Sequence, residues 1–314
     1  MSIAFRGSKF CWMNGEVIET KDALVSVMEP IHYGFFEGTK AYVEGNILSE
    51  GPLNIFRAES HMDRLWRSAT ICGVKIPYTK KQLIEATKEV INANGLKTNT
   101  YIHHRVWPKA ATPTQPHVVI GVWPFETRLG KGNSKFAEKR RFMISTWRRI
   151  ATDALPTQAK ALANYANSEL AGREARRLGF DGAIFLDNRG YISESTGACV
   201  MCVRDGKVVT PPATAAILES ITRDTFIKIL PEDLGIPVEV RDIARVEFYA
   251  SDEAFLCGTG AEIAPITSVD DIPIGDKYPG PITTRIAEYY AEILAGNIEK
   301  YRKWLTPVTP LATT

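Results

Sequence analysis

The stretch AKALANYANSELAGREARRLGFDGAIFLD, residues 159–187, carries the strongest fold signal in the sequence. Its first part belongs to a predicted helix over residues 157–179, and the apolar run that follows predicts a buried strand. Lys160 stands at the start of that helix, with small residues on both sides, and the next basic residue is Arg173. The small neighbours leave room for a bulky group beside the amine. A solvated helix lysine is the ordinary alternative, so this stretch alone does not define a site.

Strand and helix signals alternate on both sides of this stretch. On the amino-terminal side the patterns predict a hairpin at 9–18 turned by Asn14-Gly15, a second hairpin at 41–48 around Glu44-Gly45, helices at 58–73 and 79–95, and strands at 101–107 and 117–125. On the carboxyl-terminal side they predict strands at 141–147, 181–187, 191–194, 198–203, 207–212 and 253–258, and helices at 221–230 and 282–296. Mixed strands and helices with several hairpins predict an α+β (mixed α/β) fold.

The stretch PFETRLGKGNSKF, residues 124–136, differs from its surroundings. It is rich in glycine, lysine and polar residues and has no hydrophobic period. We interpret it as an interdomain linker. The sequence therefore predicts two domains, a smaller α/β domain over residues 1–123 and a larger domain over residues 137–314.

Composition excludes several classes of function. The chain has 314 residues and a net charge of +2, from 38 basic and 36 acidic residues, which does not favour nucleic acid or a membrane surface as a partner. No apolar stretch is long enough to span a bilayer, and the first residues lack the apolar core of a signal peptide. We expect a cytoplasmic protein. Cys199 and Cys202 lie on a predicted strand, where residues three apart face opposite ways, so no metal site is expected.

Three further features suggest a site for an anionic ligand, and a fourth is a carboxylate. Ser220 precedes a predicted helix, and N–H groups at a helix start favour an anion, although a plain N-cap explains the serine equally well. Gly258 to Ala261 form a small-residue turn that would present N–H groups, or simply end a strand. Glu194 lies just past a predicted strand, where a carboxylate could form a salt bridge, cap a backbone group or face a protonated ring nitrogen. Arg57 opens a helix, where the dipole disfavours a cation unless an anion is near.

These signals occur in one order along the chain. Together with the stretches HYGFFEGTKAY, FRAESHMDRL, GYISE, ITRD, GTGAEIAPI and GPITTRIAEYY, they make the sequence resemble the class IV (fold type IV) pyridoxal-phosphate enzymes, and most closely the branched-chain aminotransferases. The resemblance covers nearly the whole chain. It implies the two-domain architecture shared with D-amino-acid aminotransferase, pyridoxal 5'-phosphate as cofactor, and a homodimer or higher homo-oligomer. The partners it implies are a small-molecule amino donor and a keto acid.

The resemblance also implies roles for individual residues. Lys160 matches the lysine that holds the cofactor covalently and moves the substrate proton. Tyr165 matches the tyrosine at the cofactor's phenolic oxygen, and Glu194 matches the glutamate at the pyridine nitrogen. The phosphate cradle corresponds to Arg57, Ile221, Thr222 and Thr259. The expected substrate residues are Tyr33, Phe36, Tyr101, His103, Arg105, Phe125, Arg128, Gly260 and Ala261.

The sequence departs from the family pattern mainly around the substrate. After Glu194 it reads STGACV, Ser220 replaces a usual glycine, and the segment YGFFE is about two residues short. His103 stands where an arginine is usual, and Arg128 where a pocket tyrosine is usual. Tyr101, His103 and Arg105 share one face of a strand, so Arg105 could bind a substrate's distal carboxylate, and Arg128 in the linker is the other candidate. The alternative is that both arginines are solvated and that glutamate is a poor substrate.

Three other assignments stay open at this point. A D-amino-acid or (R)-amine aminotransferase of the same class would fit the shortened segment, although the Arg-x-His motif of the former is not found. A lyase that cleaves aminodeoxychorismate is a further relative. A non-enzymatic binding protein would need Lys160 to be inert. The expected activity is transfer of an amino group between branched-chain or hydrophobic amino acids and a 2-oxo acid such as 2-oxoglutarate.

Overall fold

The computed structural model describes residues 8–110, 112 and 114–309, which fall into two compact units. Unit 1 contains the chain up to Thr127, the short segment Ala159–Ala163 and the chain from Ala291 onward. Unit 2 contains Arg128–Gln158 and Asn164–Tyr290. The first passage between the units falls within the stretch predicted as a linker. The return of Ala159–Ala163 to unit 1 has no signal in the sequence.

The secondary structure mixes strands and helices throughout, as predicted. Numbered along the chain, the strands are β1 (Phe10–Met13), β2 (Glu16–Glu19), β3 (Phe35–Val43), β4 (Leu53–Phe56), β5 (Thr100–Trp107), β6 (His117–Pro124), β7 (Arg141–Ile144), β8 (Gly182–Leu186), β9 (Ile192–Ser195), β10 (Cys199–Arg204), β11 (Lys207–Thr210), β12 (Val238–Val240), β13 (Glu253–Gly258), β14 (Glu262–Pro265), β15 (Ser268–Val269), β16 (Ile272–Pro273) and β17 (Leu305–Pro307). The α-helices are α1 (Ala58–Ile71), α2 (Lys80–Ala93), α3 (Tyr165–Arg177), α4 (Ile221–Asp233), α5 (Arg245–Tyr249) and α6 (Pro281–Ala295).

Unit 1 is built on one seven-stranded antiparallel sheet in the order β17-β4-β3-β5-β6-β1-β2. Alternation along β5 sends Ile102, His104 and Val106 into the core shared with α1 and α2. The opposite face of β5 carries Tyr101 and His103. The sheet therefore has one face covered by helices and one face rich in aromatic and basic side chains.

Local turn and cap chemistry explains the predictions in unit 1 that are confirmed. The hairpin β1–β2 turns at Asn14-Gly15, both with positive φ. Thr79 and Gln82 form a capping box at the start of α2. The second predicted hairpin is wrong, because β3 pairs with β4, placing Val43 opposite Leu53, and the connection spans residues 44–52 rather than a tight turn at Glu44-Gly45.

Unit 2 is built on a ten-stranded mixed sheet. Its main path runs β12-β11-β10-β9-β8-β7-β15-β16, with β13 and β14 joined through β10. The strands predicted at 181–187 and 191–194 pair as the hairpin β8–β9. Those predicted at 198–203 and 207–212 pair as the hairpin β10–β11, which turns at Asp205-Gly206. Helix α3 packs on the sheet through Ala171 and Ala175 against Phe185. No helix within the described ranges is both long and apolar enough to cross a membrane.

The predicted helix around Lys160 is wrong in its first part. Lys160 lies in an extended segment, a short 3-10 turn covers Leu162–Asn164, and α3 begins only at Tyr165. The reason is tertiary: Leu162 N–H donates to Gly34 O at 2.9 Å, and Ala161 forms an antiparallel bridge with Phe35. Pairing with β3 satisfies the backbone groups that a helix would otherwise use.

Candidate functional site

The backbone of Lys160 is held from two sides within unit 1. Phe36 N–H donates to Lys160 O at 3.0 Å, and Lys160 N–H donates to the hydroxyl oxygen of Ser68 at 3.0 Å. Ser68 lies on α1 and Phe36 on β3, so residues far apart in sequence fix this lysine. Because the backbone is anchored in this way, the Lys160 side chain starts from a fixed position, and a reactive amine needs such precise placement.

The amine of Lys160 lies over an aromatic surface formed by β3, β5 and β6. Its Nζ is 4.6 Å from the ring centroid of Phe36. The ring of Phe36 stacks on that of His103 at 4.9 Å, and Tyr101 stacks on Trp123 at the same centroid distance. We call this surface, together with Phe125, the aromatic face. Lys160, Phe36, Tyr101, His103 and Phe125, all predicted for the site, meet at this face.

Gly38 is required for the packing of Tyr101 on this face. A Cβ atom at Gly38 would lie 2.1 Å from the Tyr101 hydroxyl oxygen, far inside van der Waals contact. The ring of Tyr101 therefore occupies the space that any larger residue at Gly38 would need. Glycine is needed here because the Tyr101 side chain approaches its backbone closely. The backbone conformation is not the reason, since Gly38 does not have a positive φ.

Three basic side chains make the aromatic face electropositive. Lys40 is buried, with its Nζ 3.3 Å from the centroid of Phe125, and Lys160 and Arg105 lie on the same face. Burial, together with the nearby charges of Arg105 and Lys160, lowers the pKa of His103 to about 3. His103 is therefore neutral at physiological pH, unlike an arginine at the same position.

A buried ionic cluster supports the other side of β3. Glu37 is fully buried and accepts from the Arg64 Nε at 2.8 Å, while His61 Nδ1 lies 3.0 Å from the same carboxylate. Burial raises the pKa of Glu37, but the guanidinium of Arg64 and the contact with His61 outweigh burial and hold that pKa well below its usual range. The cluster ties β3 to α1 beneath Phe36 and Gly38. No local sequence pattern predicts this role of Glu37, because its partners lie on a distant helix.

Arg57 occupies a strained backbone position at the start of α1. Its φ of 48° and ψ of 43° are left-handed, a conformation that costs a residue with a Cβ roughly 1 kcal/mol or more. Its N–H donates to Trp304 O at 2.6 Å, and its guanidinium lies 5.2 Å from the Trp304 ring. Such strain tends to occur at functional positions. Tyr33, by contrast, is 67% exposed in the 3-10 turn Ile31–Tyr33 and makes its ring contact with His32.

In unit 2, Glu194 is a buried carboxylate on β9 that contacts Arg149 and Leu218. Arg149 Nη2 lies 2.8 Å from one carboxylate oxygen, and Leu218 N–H donates to the other at 3.1 Å. Arg149 is itself buried and donates from Nε to Ala216 O. The pair fixes the carboxylate in one orientation. No sequence spacing connects Arg149 with Glu194, so this partner was missed.

The start of α4 has the geometry of a capped helix terminus. Ser220 has an extended backbone, with φ of −85°, and its hydroxyl accepts from Arg223 N–H at 3.3 Å. Ile221 and Thr222 form the first turn of this 13-residue helix, and Thr222 is 2% exposed. The serine therefore fits without the positive φ that a glycine would allow. The terminus offers oriented N–H groups and the positive end of a helix dipole.

The turn Thr259 to Ala261 joins β13 to β14. An added Cβ at Gly260 would meet no described atom within 4 Å, so the turn faces open space. Directly after it, Glu262 takes a left-handed conformation and accepts from Arg128 N–H at 2.8 Å. The backbone of Arg128 is thus anchored beside this turn.

Cys199 connects these parts of unit 2. It lies opposite Glu194 on β9 and opposite Cys257 on β13, and its thiol contacts Leu218 O at 3.5 Å. The carboxylate, the approach to α4 and the turn after β13 are therefore neighbours within one unit. Tyr165, the first residue of α3, is partly buried in the same unit. In the described part of the chain, no group of three or more potential ligands has the arrangement of a metal site.

Comparison with known proteins places this geometry in a family. Residues 34–269 match the amino-transferase class IV family. The branched-chain-amino-acid aminotransferase of Salmonella typhimurium is 39% identical over 311 residues, covering 95% of this chain and 97% of that protein. A solved structure, the branched-chain amino acid aminotransferase from Thermobaculum terrenum in its PLP form, superposes with a TM-score of 0.89 at 37% identity, covering 97% and 99% of the two chains.

A second solved structure is a T.th. branched-chain amino acid aminotransferase complexed with N-(5'-phosphopyridoxyl)-L-glutamate. It superposes with a TM-score of 0.88 at 33% identity, covering 96% and 99% of the two chains. Similarity of this extent confirms the fold class that the sequence predicts. The chain belongs to the class IV aminotransferases and is related over nearly its full length to the branched-chain enzymes of that family.

Proposed function

We propose that this protein is a pyridoxal-phosphate-dependent transaminase that moves an amino group between branched-chain or other hydrophobic amino acids and a 2-oxo acid such as 2-oxoglutarate. The observation that carries the proposal is the amine of Lys160, held by β3 and α1 over the aromatic face. The relatives support it: one solved relative is a PLP form, and another holds a phosphopyridoxyl adduct of glutamate.

The chemistry of the available groups fits this cofactor. A phosphate needs oriented N–H donors, which the first turn of α4 and the turn at Thr259 to Ala261 supply, and the open space at Gly260 allows a ligand to approach. Glu194 would pair with the ring nitrogen, and Tyr165 would donate to the phenolic oxygen. Arg57 would contribute a charge to the phosphate. Pyridoxal phosphate, when bound, supplies the electron sink for the reaction.

The protein residues perform the remaining steps. Lys160 holds the cofactor and, as the free amine, moves the proton at the substrate's Cα. Glu194, oriented by Arg149, would keep the ring nitrogen protonated. The aromatic face, with Tyr33 as an additional residue, would contact the substrate side chain and exclude water. The N–H groups of Gly260 and Ala261 would bind the α-carboxylate, while Arg105 and Arg128 are the candidates for a distal carboxylate.

We further propose a cytoplasmic homodimer, with only small molecules as substrates. Support for self-association comes from one apolar segment of unit 1, which we call the exposed segment: Leu24, Val27 and Met28 are 81%, 96% and 79% exposed. Large apolar side chains exposed this close together in sequence suggest a surface that another subunit covers. Light scattering on purified protein tests this, and a monomer at micromolar concentration would contradict it.

The experiment for the activity is Lys160→Ala. The wild-type protein should absorb in the violet, shift its spectrum when L-leucine is added, and retain the cofactor covalently after borohydride reduction. Lys160→Ala should lose the borohydride-stable adduct and the leucine-dependent spectral change. Lys139→Ala, at an exposed lysine, is the matched control and should behave as the wild type. A reducible adduct at the active site of Lys160→Ala would show that the assignment is wrong.

A further inference from the structure

Unit 1 contains a cavity of about 630 Å³ beside the aromatic face. Strands β5 and β6 form one wall, with Arg105, His103 and Trp123. Part of the other wall is formed by Thr20, Lys21, Ala23, Leu24, Val25 and Ile31. Its volume lies in the range of small-molecule sites. The lining is mostly apolar, and none of the described residues that line it is acidic. The cavity therefore combines apolar walls with positive charge.

Arg105 is the unsatisfied group in this cavity. Its Nε is buried and has no hydrogen-bond partner among the described residues. Burial also lowers the pKa of the guanidinium from its usual value. Leaving a buried charged donor unpaired is costly, so such a group is a strong indication of a missing acceptor. The other basic residue of the lining, Lys21, is mostly exposed and already paired with Glu19.

The position of Arg105 relative to Lys160 follows from contacts inside unit 1. Arg105 is the direct cross-strand partner of Phe36, and side chains so paired lie on one face with Cβ atoms about 5 Å apart. Phe36 is thus a shared neighbour, since the amine of Lys160 lies 4.6 Å from its ring centroid and Arg105 pairs with it across the strands. His103, which stacks on Phe36, also lines the cavity. A substrate held at Lys160 that extends past Phe36 would reach Arg105.

We propose that Arg105 binds the distal carboxylate of a dicarboxylic amino acid or 2-oxo acid, and that the cavity at Arg105 receives that end of the molecule. The inference rests on the proposed transaminase function. A planar guanidinium matches a carboxylate in a two-point contact, and His103 beside it is neutral and does not compete for the anion. The apolar side chains of leucine-like substrates would contact the same walls without binding Arg105. One cavity thus serves both substrate classes, and Arg105 determines acceptance of the acidic one.

The test compares two substrates in Arg105→Gln, with Arg105→Lys as a charge-retaining variant. The KM for 2-oxoglutarate should rise about 10- to 100-fold in Arg105→Gln, the range expected for loss of a hydrogen-bonded ion pair. The KM for 4-methyl-2-oxopentanoate should change less than threefold, and Arg105→Lys should recover part of the loss. Arg173→Gln, at an exposed arginine of α3, controls for the substitution itself and should match the wild type.

A binding measurement separates this inference from the proposed function. Glutarate does not react, and its binding to the holoenzyme can be followed by the fluorescence of Trp107 and Trp123, which line the cavity. Arg105→Gln should weaken glutarate binding about 10-fold or more and leave 4-methylpentanoate binding unchanged. Unchanged glutarate binding in Arg105→Gln would overturn the inference. A wild-type protein that transaminates leucine but not dicarboxylates would also overturn it, as would a loss of glutarate binding in Arg128→Gln but not in Arg105→Gln. Absence of all transamination, with glutarate binding still dependent on Arg105, would refute only the proposed function.

Discussion

His104 provides a quantitative test of how burial controls charge in unit 1. The imidazole is 1% exposed between β5 and α2, with Nε2 2.9 Å from the hydroxyl oxygen of Thr87. That hydroxyl donates to Leu83 O at 2.7 Å, so it accepts from Nε2–H, and Nδ1 has no partner among the described residues. A second proton on Nδ1 would therefore be buried without an acceptor. Burial lowers the pKa of His104 from 6.5 to about 4.

The sign and size of the effect follow from linkage. A histidine with a depressed folded-state pKa binds its proton first in the unfolded chain, so stability is lost as the pH falls from about 7 toward 4. For pKa values of 6.5 unfolded and about 4 folded, the loss between pH 7.5 and pH 4.5 is about 2.5 kcal/mol. His104→Gln keeps a donor for Thr87 and removes the titration. The variant should therefore lose about 2.5 kcal/mol less than the wild type over this interval.

Urea unfolding at several pH values measures this difference. Tryptophan fluorescence is a suitable signal, because five of the six tryptophans lie in unit 1 and only Trp147 lies in unit 2. His32→Gln, at an exposed histidine, is the matched control and should follow the wild-type pH dependence. If His104→Gln and the wild type lose the same free energy of unfolding between pH 7.5 and pH 4.5, the reasoning about Nδ1 is refuted.

Three further substitutions test other parts of the structure. Glu37→Gln should lower the free energy of unfolding by about 3 to 5 kcal/mol in urea titrations, because Arg64 is left buried without its carboxylate; Glu85→Gln, at an exposed ion pair, should have no measurable effect. Glu194→Gln should keep the fold and most of the cofactor but lose most of the turnover in steady-state assays, and near-wild-type turnover would assign the ring nitrogen to another residue. Ser220→Ala should lower the free energy of unfolding by about 1 kcal/mol, and Ser220→Gly by only a few tenths, as measured by thermal denaturation. Ser220→Gly should also keep its affinity for the cofactor. A large rise in the cofactor dissociation constant of that variant would show that the hydroxyl is a phosphate ligand.

The sequence by itself determined the elements and their type wherever the signal is local. Met62, Leu65, Trp66 and Ala69 recur with the helical period in the predicted helix 58–73. On α1 the first, second and fourth of them are buried and Trp66 is partly buried. The capping box at Thr79 and the turn at Asn14-Gly15 depend only on neighbouring residues. Helix α2, which begins after Thr79, and the hairpin that turns at Asn14-Gly15 both occur where predicted. The order of motifs along the chain was likewise sufficient to indicate the family.

Tertiary structure alone decided the features that depend on contacts between distant residues. Periodicity predicted a helix through Lys160, but hydrogen bonds with Gly34 and Phe36 hold that segment extended, because pairing with a strand satisfies the same backbone groups. The ion pair of Arg149 with Glu194 spans 45 positions and has no local signature. The unpaired Nε of Arg105 is likewise a property of burial, which residue type and spacing do not determine.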